Sequence, residues 1–279
     1  STTGVTISPV ESKLPASLLY TLAGFLLIIG IGIFAWKNPI QTTLARKDIF
    51  ASAWQKLPTS SLDTGLQTIF GNRLVFVQMA TIILVTLLAY SQVYELHFVS
   101  DTIPYVLQNP WVHNVTLANT IAMFTEAHHA NWQPLVWLSH SLDFYIFGMD
   151  AGKHHLVNLI FHVTNALLVY FLAIALMMRT AKFNLQDKQW VAFFTATIFA
   201  IHPQHVESVA WVVERKDVLY SLFSLSSLLA YLHLHTCEDR KTWIRILPFL
   251  LFVLSIMSKP MAVVLPIVLL ILDFYPLNR

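Results

Sequence analysis

The sequence predicts an all-α protein, a polytopic transmembrane bundle of about six or seven membrane helices, some of them broken. Three observations carry that expectation. Hydrophobic residues fill 56% of the 279 positions and charged residues only 11%, against roughly 25% charged in an ordinary soluble domain. Apolar windows recur at residues 18–36, 74–94, 155–178, 190–201, 219–235 and 244–272, several of them close to the ~20 residues that cross a hydrocarbon core as a helix. Lysine and arginine fall in alternate connections, the bias that orients helices in a bilayer. A mean hydropathy of +0.62 agrees with all three.

Composition also excludes some function classes. A net charge of +2, with basic residues scattered along the chain, argues against a nucleic-acid partner. The single cysteine, Cys237, excludes an intramolecular disulfide framework and a cysteine-rich metal site.

In chain order, residues 1–73 read as an extra N-terminal region. A polar start, without the pattern of a cleavable signal peptide, leads into one transmembrane helix at about 18–36 and then a cytoplasmic linker containing Pro39 and Pro58. Within the linker, residues 48–55 suit a short amphipathic helix on the membrane surface. The helix at 18–36 is the expected means of docking other membrane protein subunits, and lipids are the remaining expected partners. Residues 74–279 form the second region. Its window from Trp190 is interrupted by His202-Pro203, and its last window by Ser258-Lys259-Pro260. Proline inside an apolar helix breaks the hydrogen-bond ladder, so the last window is expected as two shorter helices meeting at a polar elbow.

Orientation follows from the short basic connections. Lys37, Arg46, Lys47, Lys56 and Arg73, then Arg179, Lys182 and Lys188, then Arg240 and Lys241 belong in the cytoplasm. Residues 97–153, residues 202–217 and the elbow at Lys259 then fall on the opposite, non-cytoplasmic face. His97, His113, His128, His129, His140, His154, His155, His202 and His205 go with them, nine of the twelve histidines. Taken singly, each of these rings has a plainer reading as an interfacial anchor at a helix end.

Four groups on that face carry candidate chemistry. Asp101 directly follows a predicted membrane helix and is placed to act as a general base; the plainer alternative is a turn cap before Pro104. His154 and His155 sit at a helix start, where adjacent side chains diverge, so a metal would take one of them rather than both. In the run from His202 to Asp217, Arg215 and Lys216 suit a lipid phosphate or diphosphate, the first as a bidentate fork and the second as a point charge. The same charges could instead form an internal ion-pair network of Glu214, Arg215, Lys216 and Asp217. His202, His205 and Glu207 are candidate ligands of a divalent metal. Lys259 is a lone cation in an apolar stretch, which either snorkels or meets an anion.

The order of Asp101, Trp132-Gln133-Pro134-Leu135, Leu138-Ser139-His140, Leu142-Asp143, His154-His155-Leu156, Asn158, His162, His202-Pro203, His205-Val206-Glu207-Ser208, Glu214-Arg215-Lys216-Asp217 and Ser258-Lys259-Pro260 resembles bacterial relatives of the transmembrane and tetratricopeptide-repeat O-mannosyltransferases. These are polytopic glycosyltransferases of the GT-C class. The resemblance implies transfer of a sugar from a polyprenyl-phosphate carrier to a protein hydroxyl on the non-cytoplasmic face, with Asp101 as the catalytic carboxylate. Joined with the reading of the charged groups above, an active enzyme of that kind would use Arg215, Lys216 and Lys259 to hold the carrier phosphate, with His154, His155, His202, His205, Glu207, Glu214 and Asp217 shaping the site. This sequence carries Thr102 where the family usually has a second acidic residue, and it stops at Arg279, whereas the family continues well past the motif at Leu272-Asp273 with more helices and often repeats. The alternative expectation is therefore a truncated, catalytically silent relative serving as an accessory subunit of a membrane complex. Loss of transfer on Asp101→Asn but not on the control Asp143→Asn would separate the two.

Overall fold

A computed structural model describes residues 72–129, 131–179, 183–234 and 242–274. The predicted N-terminal helix and linker lie outside the described residues. Among the described residues the protein is helical, with no strand and one isolated backbone bridge between His128 and Asn131.

The helices are α1 (Arg73–Ala89), α2 (Pro110–His113), α3 (Leu117–Thr125), α4 (Pro134–Phe147), α5 (Ala151–Met177), α6 (Leu185–Ile201), α7 (Val206–Ala210), α8 (Arg215–Leu234), α9 (Thr242–Ser258) and α10 (Leu265–Phe274). Their starts follow local chemistry. The side chains of Asn72, Asn109, Thr116, Asp150 and Asn184 each accept a hydrogen bond from a backbone N–H of the first turn, satisfying donors that have no partner within the helix. Helix α4 ends at Gly148, whose φ of 62° and ψ of −140° suit a residue without Cβ.

Among the described residues, two helices are long and apolar enough to cross a membrane: Ala151–Met177 and the stretch Val212–Leu234 that includes α8. Arg73–Ala89, Ile244–Ser258 and Pro260–Phe274 are shorter apolar helices. The expected six or seven full spans are thus met in part. The elbow falls at Lys259, which is extended at φ −153° between α9 and a 3-10 turn at Pro260–Val264, because Pro260 cannot donate to the preceding turn.

Helix α5 is central, packing against α6, α8, α1 and α4, while α8 also packs along α9. Polar clasps fix these pairs. Tyr170 donates to Gln78 at 2.6 Å, Asn165 to the Val218 carbonyl at 2.9 Å, and His162 Nε2 lies 2.8 Å from the Ala200 carbonyl. Ser227 donates to the carbonyl of Pro248 at 2.8 Å and Ser224 pairs with Ser255 at 2.7 Å, tying α8 to the proline-containing α9. In apolar surroundings such bonds add to packing as the force between helices. Phe249, Leu250, Ile267, Leu270, Ile271 and Phe274 remain exposed, an apolar flank of the kind an integral membrane protein presents.

Candidate active site

The segment between α1 and α2 places Asp101. Ser100 adopts a positive φ of 50°, an uncommon conformation for a residue with a Cβ and one that recurs at functional turns. Asp101 follows it, exposed, and its carbonyl accepts from the Tyr105 N–H at 3.1 Å within a π-helical turn, Ile103–Leu107. Thr102 is fully buried, and its hydroxyl has no partner among the described residues. It is therefore packed inward rather than standing beside Asp101 as a second cleft group.

Asp101 and Tyr105 line a cleft with Asn131, Gln133, Trp137, Val213, Glu214 and Lys216. The cleft thus draws on segments more than 100 positions apart in the sequence. Trp137 forms a wall from α4; it is 1% exposed, and its indole N–H has no partner among the described residues. On the opposite side Lys216 and Glu214 pair at 2.8 Å, both partly exposed. A second positive φ, 47° at His129, lies beside the cleft, where the His129 ring sits 5.1 Å from Tyr105. Its neighbour His128 packs on Trp111 and Trp137, and burial pulls His128 below the ordinary histidine range against a bond to the Pro104 carbonyl.

Arg215 points the other way. Its side chain is fully buried, with Nε donating to Asn158 at 2.8 Å, Nη2 to the His154 carbonyl at 2.9 Å, and Nη1 to Ser139 at 3.2 Å and to the Asp143 carboxylate. Those bonds leave little of the fork for a ligand phosphate. They instead fasten the start of α8 to α4 and α5, and so fix the backbone from which Glu214 and Lys216 project into the cleft. Burial pushes the Asp143 carboxyl upward, opposed by Arg215 and then His154.

The remaining sequence candidates distribute around this core. Lys259 pairs with Asp217, which also accepts from Ser208 at 3.4 Å, so the cation at the elbow meets a carboxylate of this chain. His202 and His205 have ring centroids 6.1 Å apart, and Glu207 is exposed. Burial lowers His205, assisted by His202. Among the described residues, the three metal-capable donors that converge are His140, Asp143 and His154, all within 4.8 Å of one another, and not His202, His205 and Glu207. His154 and His155 are both buried at the start of α5. Sequence reasoning passed over Tyr105, Asn131, Gln133 and Trp137 as cleft residues and set Asp143 aside as a control position. The available signal was that Asp143 follows Ser139 by four positions on one helix face.

Comparison with known proteins places these residues in context. The chain is 34% identical over 141 residues to Protein O-mannosyl-transferase TMTC2 of Mus musculus, covering 49% of this chain and 16% of that protein. It is 31% identical over 153 residues to Protein O-mannosyl-transferase TMTC1 of Mus musculus, 52% of this chain and 15% of the relative. With Protein O-mannosyl-transferase TMTC3 of Homo sapiens it shares 31% over 142 residues, 48% and 14% of the two chains. The chain thus spans about one sixth of the length of these curated relatives. No family model matches, and no solved structure matches.

Proposed function

We propose that this protein takes part in protein O-glycosyl transfer of the mannosyl-transferase kind, using a polyprenyl-phosphate sugar as donor at the non-cytoplasmic face of its membrane. The observation that carries this reading is the convergence of Asp101, Glu214 and Lys216 on one cleft in a chain similar to named O-mannosyl-transferases.

In the proposed reaction, the acceptor hydroxyl oxygen attacks the anomeric carbon of the donor as the bond from that carbon to the phosphate oxygen breaks. Asp101 takes the hydroxyl proton, a role that requires an unprotonated carboxylate within hydrogen-bond reach of the acceptor. The carrier phosphate departs with the bonding electrons, and Lys216 offsets its charge as a point cation. Glu214, paired with Lys216 at 2.8 Å, holds the ammonium in the cleft until the phosphate competes for it. Tyr105 offers ring surface to a sugar, and the buried Trp137 backs the cleft wall. Arg215 acts through the backbone it anchors, and Lys259 through Asp217. Donor approach from the lipid fits the apolar flanks of the helices, and acceptor approach fits the exposed side of Asp101.

The test is transfer by the purified protein in detergent or liposomes from a polyprenyl-phosphate mannose to a peptide rich in serine and threonine. Asp101→Asn should lower turnover by about 10²–10⁴-fold, the usual contribution of a general base, while carrier binding persists. Equal transfer by parent and Asp101→Asn would overturn the reading, and an inert parent that copurifies stoichiometrically with a membrane assembly would support the accessory role instead.

A further inference from the structure

We propose that His140, Asp143 and His154 form a buried site for a divalent transition ion of the Zn²⁺ type. The three side chains are 0%, 5% and 0% exposed, and one ligand atom from each lies within 4.8 Å of the others. His140 and Asp143 stand three positions apart on the same face of α4, and His154 opens α5 opposite them.

The polar atoms have what a ligand set needs. Both ring nitrogens of His140 and Nδ1 of His154 are buried without a hydrogen-bond partner among the described residues, and an orphaned buried polar atom is costly unless something satisfies it. His154 Nε2 lies 2.9 Å from the Gly148 carbonyl. That is the arrangement in which a ligating histidine is oriented by its other N–H, leaving Nδ1 as the metal donor. His154 Nδ1 is 3.6 Å from Asp143 Oδ2; two ligands of a tetrahedral ion at ~2.0–2.1 Å from the metal stand about 3.3–3.4 Å apart. Two histidines and one carboxylate suit Zn²⁺ and neighbouring borderline ions better than Mg²⁺ or Ca²⁺.

Arg215 shares the same carboxylate and is the opposing term. A carboxylate has lone pairs for both partners, but the guanidinium charge weakens any cation beside it. Neither histidine lines the Asp101 cleft, so metal binding is read directly and without an assay of glycosyl transfer.

The experiment uses the full chain, purified in mild detergent without a polyhistidine tag, stripped with chelator and titrated with Co²⁺ alone. Bound equivalents are measured by elemental analysis, and site geometry by the visible absorption of tetrahedral Co²⁺. One equivalent is expected. Affinity should fall at least tenfold in His140→Ala and in the bulkier His140→Gln, and stay unchanged in the His202→Ala/His205→Ala double variant. Melting of each metal-free variant shows whether it is folded. Absence of binding by the parent, parent-like binding in both His140 variants, or loss confined to the His202/His205 variant would each overturn the proposal.

Discussion

The Asp143 to Arg215 pair allows the sharpest test of what orders this structure. Asp143→Asn preserves shape and an acceptor oxygen but removes the only negative charge that the described residues place on a guanidinium that is 0% exposed. The remaining partners, Asn158, Ser139 and the His154 carbonyl, are neutral. Removing one partner of a buried pair costs about 3–5 kcal/mol, because the other charge is left uncompensated. At roughly 2–4 °C per kcal/mol for a chain of this size, the melting temperature should fall by about 6–20 °C. The assay is thermal unfolding in detergent with chelator present, so that no metal contributes. Lys259→Met serves as the comparison: its pair with Asp217 is 22% and 28% exposed, and a pair of that kind is worth at most ~1 kcal/mol. If Asp143→Asn and Lys259→Met shift melting equally and slightly, Arg215 does not act as the fastener described above.

Other substitutions probe other links of the account. Gly152→Ala places a methyl group on the Tyr94 carbonyl oxygen and 3.2 Å from its ring; since a backbone atom cannot swing away, the variant should lose about 1–3 kcal/mol in the same assay. Lys216→Met should raise the KM for the polyprenyl-phosphate donor more than it lowers kcat. If it lowers only kcat, Lys216 is not a ground-state phosphate contact. Stability should fall as pH drops below about 6.5. His140, His128 and His205 are held below that value by burial, so the unfolded chain binds protons there that the folded chain does not. His140, fully buried, contributes up to ~1.4 kcal/mol per pH unit inside its window, the partly exposed His128 and His205 less because solvent screens them, and His140→Gln should flatten the slope measured by unfolding at stepped pH.

Much of the architecture was legible because long apolar windows and proline breaks are local signals. Helices α5 and α8 coincide with the windows at 155–178 and 219–235, and the elbow at Lys259 follows from Pro260. The number of full spans was less legible. Helices α1, α6 and α9 have 17 residues each, and hydropathy alone does not say where a neighbouring polar residue ends a helix. Within the run Glu214-Arg215-Lys216, sequence identifies three charged residues but not which faces inward. That choice is made by Asp143 and Asn158, 72 and 57 positions away. The histidines show the same limit. The spacing of His202, His205 and Glu207 drew attention as a ligand set, whereas the donors that meet come from α4 and α5.

The central claim is that Asp101 and Lys216 share one phosphate-binding cleft open to the non-cytoplasmic side. Single cysteines at Asp101 and Lys216, placed in a Cys237→Ser background and probed with a membrane-impermeant thiol reagent, test it most directly. In sealed vesicles of known orientation, both positions should label from the non-cytoplasmic side, and polyprenyl phosphate should slow both reactions together. Labelling from opposite sides, or protection of neither position by saturating carrier, would contradict it.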